Sequence, residues 1–281
     1  MVEPILHIHI CTYGQDGVNR VVKHNHPEIE GVRWLLSVQS PLDKVKIPHE
    51  ITSRKDFDVI IHKDKGLSVN RNHALDYKCD SEYILIADDD VDYSKEGINK
   101  LMKAFRDNPN VDIICGRYKS EGKYIKIYGE NQFNLKYPPK GWYVSSIEIA
   151  FRRYKGKEIR FNENLGAGSD KLIAGEESVW LYDMLKNGAT GIFLPIDLGE
   201  HNELTTSERM LYEPLFHQTK GAVMIHIKPI SWFPRLILYS YRSPAPFFKC
   251  LIESLKGVHY AISKKIYTSK VSLPVDKRKS I

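Results

Sequence analysis

Residues 83–93 read YILIADDDVDY, an apolar run that stops on three aspartates. Tyr83 to Ala87 has the pattern of a buried strand, since nothing in it requires water. Asp88, Asp89 and Asp90 then fall where the strand leaves its sheet. Three carboxylates this close repel one another unless a cation compensates. Side chains alternate along a strand, so Asp88 and Asp90 can share one direction while Asp89 takes another. Two hard oxygen ligands on one side suit Mg2+ or Mn2+, above all when a substrate phosphate completes the shell. The stretch predicts an α/β enzyme acting on a diphosphate-activated substrate.

Upstream, ILHIHIC (5–11), Trp34 to Val38 and DVIIH (58–62) read as three further strands. His7 and His9 share one strand face, and without a third ligand they read as sheet-packing residues. In KGLSVNRNHALDY (65–77), Gly66 breaks the third strand and Ser68 is placed to cap a helix over about 69–77. That helix N-terminus is a ready anion site, with Asn70, Arg71 and Asn72 adding donors. Downstream follow a helix over Lys95 to Phe105, strands over Val111 to Cys115 and Ser146 to Phe151, and a helix opening at Glu176 and Glu177. GIFLP (191–195) is one more strand. Strands alternating with helices predict a mostly parallel sheet with ligands at the C-terminal strand ends, where Thr12, Gly66 and Asp88 all fall.

The 281 residues permit one large domain or two small ones, and 42 % hydrophobic with 27 % charged residues is an ordinary globular mix. Cys11, Cys79, Cys115 and Cys250 form no C-x-x-C pair, which predicts a reducing compartment and no zinc ribbon. The N-terminus lacks a secretory pattern, and the apolar tract around 222–239 is broken by prolines and charges. The expected location is therefore cytoplasmic. The net charge of +6 is concentrated late: Lys249, Lys256, Lys264, Lys265, Lys270, Lys277, Arg278 and Lys279 face only Glu253 and Asp276. Such a tail can meet an anionic membrane, nucleic acid or water alone. Phe247, Leu251 and Leu255 are spaced for one helical face that could rest on the inner face of the cell membrane, or complete the core.

Four blocks in order, HICTYG, GLSVNRNHAL, LIADDDV and LGAGSDKLIAGEESVWLYDMLKNG with the later His201, resemble family 2 glycosyltransferases over roughly residues 4–205. The resemblance implies a GT-A fold: a Rossmann-like, mostly parallel sheet flanked by helices. Residues 1–205 would be the glycosyltransferase domain, with a nucleotide-sugar part to about 118 and an acceptor part over 119–205. Residues 206–281 would form a helical, basic extension. The resemblance further implies a nucleotide-sugar donor, first of all a UDP-sugar, and a glycan or lipid-linked glycan acceptor in bacterial surface polysaccharide synthesis, with no nucleic acid partner. Asp88 and Asp90 would form the D-x-D pair, Asp88 at the ribose and the metal, Asp90 on the metal itself with His201 contributing. Thr12, Tyr13, Gly66, Arg71 and Asp89 would line the nucleotide-sugar pocket. The Glu176–Glu177 pair stands where the family usually has Glu-Asp, so Glu177 is the expected base and Glu176 its neighbour or the alternative. The QSPLDK stretch departs from the family's aspartate-rich turn, with only Asp43 there.

One base and a direct displacement predict inversion at the anomeric centre, with a divalent metal (Mn2+ or Mg2+) stabilising the leaving diphosphate. Two rivals remain at this point. A nucleotidyltransferase on a related sheet would need a basic, glycine-rich loop after the first strand, where CTYGQDGVNR stands. A non-catalytic membrane or nucleic-acid module would use the basic tail and leave the aspartates unexplained.

Overall fold

In a computed structural model, residues 5–41, 44–153, 160–201 and 212–267 are described. Asp43, the 205/206 division and the basic residues from Lys270 onward lie outside them.

The first half alternates strand and helix. β1 (Leu6–Tyr13) runs directly into α1 (Gly14–Lys23), and β2 (Val32–Gln39), the short α2 (His49–Thr52) and β3 (Phe57–His62) follow. α3 (Leu67–Asp76), β4 (Tyr83–Ala87), the two-residue β5 (Asp92–Tyr93) and α4 (Lys95–Asp107) come next. The second half carries β6 (Ile113–Ser120), the two-residue β7 (Lys123–Tyr124) and β8 (Phe133–Asn134), β9 (Ile149–Arg152), α5 (Glu176–Lys186) and β10 (Gly191–Glu200). Three helices close the described chain: α6 (Pro214–Ile227), α7 (Trp232–Arg242) and α8 (Phe247–Ser263).

The sheet has the order β3-β2-β1-β4-β9-β6-β10-β5. β3, β2, β1 and β4 are mutually parallel. β9 enters antiparallel between β4 and β6, and β10 returns parallel to β6. The sheet is mostly parallel, as the strand–helix alternation predicts. The expected strand over Ser146 to Phe151 is shorter than its apolar pattern suggests. Ser146–Glu148 is a turn of 3-10 helix, because the Glu148 side chain accepts from the Ser145 backbone N–H at 3.1 Å and closes a capping box.

β4 is buried along its whole length, and its side chains divide between two cores. Tyr83, Leu85 and Ala87 join Leu6, Ile8 and Ile10 of β1 with the apolar faces of α1 and α4. Ile84 and Ile86 face the other way, with Phe151, Trp180 and Met184. This parity carries into the aspartates that follow.

The C-terminal helices pack through small residues. A Cβ on Gly221 would stand 1.9 Å from the Ser254 carbonyl oxygen, and one on Gly257 1.8 Å from that of Gln218, so α6 and α8 touch backbone to backbone. The buried face of α8 is Cys250, Ser254, Gly257, Val258 and Ala261. The Phe247–Leu251–Leu255 stripe is not that face: Leu255 is exposed and the other two are half-buried. Helices that approach this closely need small residues at the contact, so the larger apolar ones are turned outward. Leu165, Leu172 and Val179 join Ala222, Ala261 and Ile266 in one cluster, which seats these helices on the 160–175 segment and α5.

Candidate active site

The C-terminal ends of β1, β2 and β4, the start of α3 and the start of α5 meet in one hydrogen-bonded network. Each aspartate after β4 has a different partner: strand parity separates Asp88 from Asp89, and the turn beyond the strand carries Asp90 to a third. Asp88 continues the Ile84–Ile86 side and meets α3: Arg71 Nη2 donates to its Oδ1 at 3.2 Å, and the Ser146 hydroxyl to Oδ2 at 3.1 Å. Asp89 continues the Leu85–Ala87 side and meets α1. Arg20 donates to it from Nε at 3.1 Å and Nη2 at 2.9 Å, and the Thr12 hydroxyl also donates to it. Asp90 lies in the turn beyond the strand, with Oδ1 3.2 Å from His201 Nε2 just past the end of β10.

The electrostatics follow these partners. Burial pushes the Asp88 carboxyl above its ordinary range, against the opposing Arg71 charge. Asp89 is likewise raised by burial, opposed by Arg20 and Thr12. Burial acts on Asp90 too, but His201 and Arg20 outweigh it and hold the carboxyl below its usual value. Asp90 is thus the aspartate most firmly kept as an anion.

Arg71 is buried and forks between two acids, Asp88 and Glu176, the latter accepting from Nη1 at 2.8 Å. Burial works against its charge, and Glu176 and Asp88 more than restore it. Glu176 is buried in that pairing, while Glu177 beside it is half-buried with the Ser178 hydroxyl at 3.3 Å. Burial, then the neighbouring Glu176 charge, push the Glu177 carboxyl well above the usual range, with Arg71 and Lys220 opposing. Lys220 of α6 is lowered by burial and partly restored by Glu177.

The polar residues around Arg71 serve the scaffold. Asn70 donates to the Thr12 and Ser37 carbonyls at 3.1 Å each, and Asn72 to the Phe161 carbonyl at 3.0 Å and Glu163 at 2.9 Å. Their expected role as anion donors is therefore corrected: both side chains are committed to tying α3 to neighbouring segments. Gly66, with φ +119°, precedes α3 and donates from its N–H to Gln39 at 2.7 Å. Ser68 does not cap this helix; its hydroxyl donates to the Leu165 carbonyl at 2.7 Å. The first helical N–H, that of Leu67, is taken by the Ala167 carbonyl at 2.8 Å. Thr12 joins the network through Asp89, and Tyr13 stands at the network's edge with its ring exposed.

Arg20, Ser146 and Lys220 belong to this site and escaped sequence reasoning. Arg20 had one signal: Gly17 lies mid-helix, and a Cβ there would stand 1.8 Å from Thr12 Oγ1 and 2.8 Å from Asp89. A glycine in a helix interior marks a close approach. Ser146 and Lys220 carried no comparable mark.

For a divalent cation the donor set is two carboxylates and an imidazole, which suits Mn2+ and its tolerance for nitrogen. Asp90 and His201 are adjacent. Asp88 does not gather with them into a tight trio; among the described residues the three-ligand groups lie elsewhere, at His7–His9–Cys79 and His62–Asp64–His73. Protein alone therefore supplies part of a shell, which fits a metal that takes its remaining ligands from a diphosphate.

An α/β sheet of this order, with acids gathered at the strand ends, defines a class. Residues 42–169 match the family model described as Glycosyl transferase family 2. No curated protein matches the chain by sequence. Among solved structures, the S. aureus TarS 1–349 structure aligns at TM-score 0.56 and 16 % identity, covering 98 % of this chain and 76 % of that one. The same TarS fragment in complex with UDP-GlcNAc aligns at 0.55 and 17 %, covering 98 % and 77 %. A longer TarS structure aligns at 0.54 and 17 %, covering 95 % of this chain and 46 % of that one. Fold and family match together make the chain a glycosyltransferase of GT-A architecture. The family match includes Gly66, Arg71 and the three aspartates, and stops before Glu176.

Proposed function

We propose that the chain is an inverting, metal-assisted glycosyltransferase that moves a sugar from a nucleoside-diphosphate sugar to an acceptor hydroxyl. The observation that carries this is the division of labour among the acids. Asp88 and Asp89 are held by arginines, Asp90 is kept anionic beside His201, and Glu177 has a raised affinity for protons. Asp90 and His201, with Asp88, would hold Mn2+ or Mg2+, which when bound supplies positive charge to the leaving diphosphate. Thr12, Tyr13, Gly66, Arg71 and Asp89 would shape the nucleotide-sugar pocket, Tyr13 with an exposed ring and Arg71 by holding Asp88. A UDP-sugar is the first donor to test, since TarS binds UDP-GlcNAc in this fold.

Glu177 is the better base of the pair. Glu176 is committed to the Arg71 ion pair, whereas Glu177 is only half-buried and basic enough to accept a hydroxyl proton. Attack on the face opposite the leaving group, with Glu177 taking the proton, inverts the anomeric centre. Residues 1–205 would carry this chemistry.

The acceptor proposed is a glycan or lipid-linked glycan of a bacterial surface polysaccharide, met at the cytoplasmic membrane face. No helix among the described residues is long and apolar enough to cross a membrane. α7 and α8 turn Tyr241, Phe248 and Ile252 outward beside the exposed Arg235, Arg242, Lys249 and Lys256. An apolar face rimmed by cations fits peripheral contact with anionic lipid.

The test is a panel of sugar nucleotides with Mn2+ and an acceptor extract, read as nucleotide release. One donor is expected to be consumed, and Glu177→Gln to stop transfer while donor binding survives. No binding and no release with any donor would overturn the function. Full activity in the Gln variant would remove Glu177 from its role.

A further inference from the structure

At the opposite end of β1 from the acids, His7 and His9 project from the same strand face and are fully buried. Their rings stand 5.1 Å apart, edge to face. Nδ1 of His7 and Nε2 of His9 have no hydrogen-bond partner, while Nε2 of His7 faces Asp58. Buried polar atoms are almost always satisfied, so two such atoms in one place point to a missing ligand. Cys79, on the loop between α3 and β4, brings a thiol to the pair. One ligand atom from each of the three residues lies within 4.8 Å of the others. Arg153 pins that loop, donating to the carbonyls of Tyr77 at 3.0 Å and of Cys79. Asp58, itself held by Arg33, stands 3.5 Å from His7 Nε2.

We propose that His7, His9 and Cys79 form a structural zinc site that clamps β1 to the loop entering β4. Two imidazoles and a thiolate are the nitrogen and sulfur donors that zinc selects over Mg2+ or Mn2+. Ligand atoms around a tetrahedral zinc stand roughly 3.3–3.8 Å apart, so closure needs about 1 Å of side-chain movement. Cys79 is half-buried, which leaves an entry path and room for a water as fourth ligand. Asp58 is the carboxylate that orients His7, as such groups commonly do for metal-bound imidazoles. His7 lies five residues before Thr12, roughly 17 Å along the strand, so this site is separate from the acids. The other trio is a weaker candidate: His62 and His73 have partners in Asn70 and Asp64, and Asp64 is exposed.

The experiment uses the full chain, purified without added metal and then dialysed with Zn2+ or Co2+. One equivalent of zinc is expected by mass spectrometry, with a melting temperature that falls on chelation and recovers with zinc. Cobalt should give a thiolate-to-metal charge-transfer band, absent in Cys79→Ser and weakened in His9→Gln. Wild-type protein that takes up no metal and melts alike with zinc or chelator overturns the site. So does a charge-transfer band that survives Cys79→Ser. The wild-type arm decides the matter even where a variant fails to fold.

Discussion

Glu177 shows how one side chain's surroundings set its chemistry. Its carboxyl must be ionised to accept a proton, and its pKa is raised by burial and by Glu176. Transfer should therefore fall as pH drops through a value above the ordinary carboxylate range. Glu176→Gln removes the like charge and should shift that acid limb downward in a pH–rate profile. Glu177→Gln should lower the rate about 10²–10⁴-fold without weakening donor binding, measured by calorimetry beside turnover. The stability sign is opposite to that of a paired acid. A raised folded pKa contributes stability in full below the unfolded value and loses it as pH rises through the folded one. Glu177→Gln should thus gain on wild type in melting temperature on the alkaline side. Arg71 is a separate case: Arg71→Met strands Glu176 and Asp88, and removing one partner of a buried pair costs about 3–5 kcal/mol. Urea midpoints at unchanged slope would check this.

At the scale of elements, close backbone approach decides what the helices can do. Replacing a mid-helix glycine by alanine ordinarily favours the helix by up to about 1 kcal/mol. Gly17→Ala should have the opposite sign, because its Cβ would collide with the Thr12 hydroxyl and crowd Asp89. A loss of about 1–3 kcal/mol is expected by denaturant unfolding, together with weaker donor binding as the clamp on Asp89 opens. Gly257→Ala should force α8 off α6 and lower thermal stability, yet leave donor binding intact, since among the described residues no hydrogen bond or ion pair joins α8 to Asp88, Asp89, Asp90, Glu176 or Glu177. A stabilised Gly257→Ala variant would show that the contact between these helices is looser than described.

Across the whole molecule, the acids gather at the C-terminal ends of central strands while the C-terminal helices turn apolar and basic residues outward. Tyr241, Phe248 and Ile252 are 79 %, 74 % and 53 % exposed. Phe248→Ser with Ile252→Ser should release the protein from vesicles containing anionic lipid in a flotation assay, and leave hydrolysis of a soluble donor unchanged. Added salt should weaken wild-type binding, and neutral vesicles should retain little of it. Vesicle binding that survives both substitutions would place the contact elsewhere on the molecule.

The sequence by itself determined the main strands, the helix starting at Glu176 and the placement of Thr12 and Asp88 at strand ends, with Gly66 before α3. Each rests on local periodicity: period two buries a strand, and the same parity divides Asp88 from Asp89. It also carried the family-like blocks that led to a glycosyltransferase of GT-A architecture. Which partner each acid meets was decided only by the tertiary structure. Arg20, Ser146 and His201 reach the aspartates from α1, a 3-10 turn and the end of β10, and Glu176 reaches Arg71 from α5, segments far apart in the chain. Local pattern also misjudged Asn70 and Asn72, and left open whether the Phe247 stripe faces inward or outward. Composition shows that a residue is polar or apolar; only packing shows whether the scaffold has already claimed it.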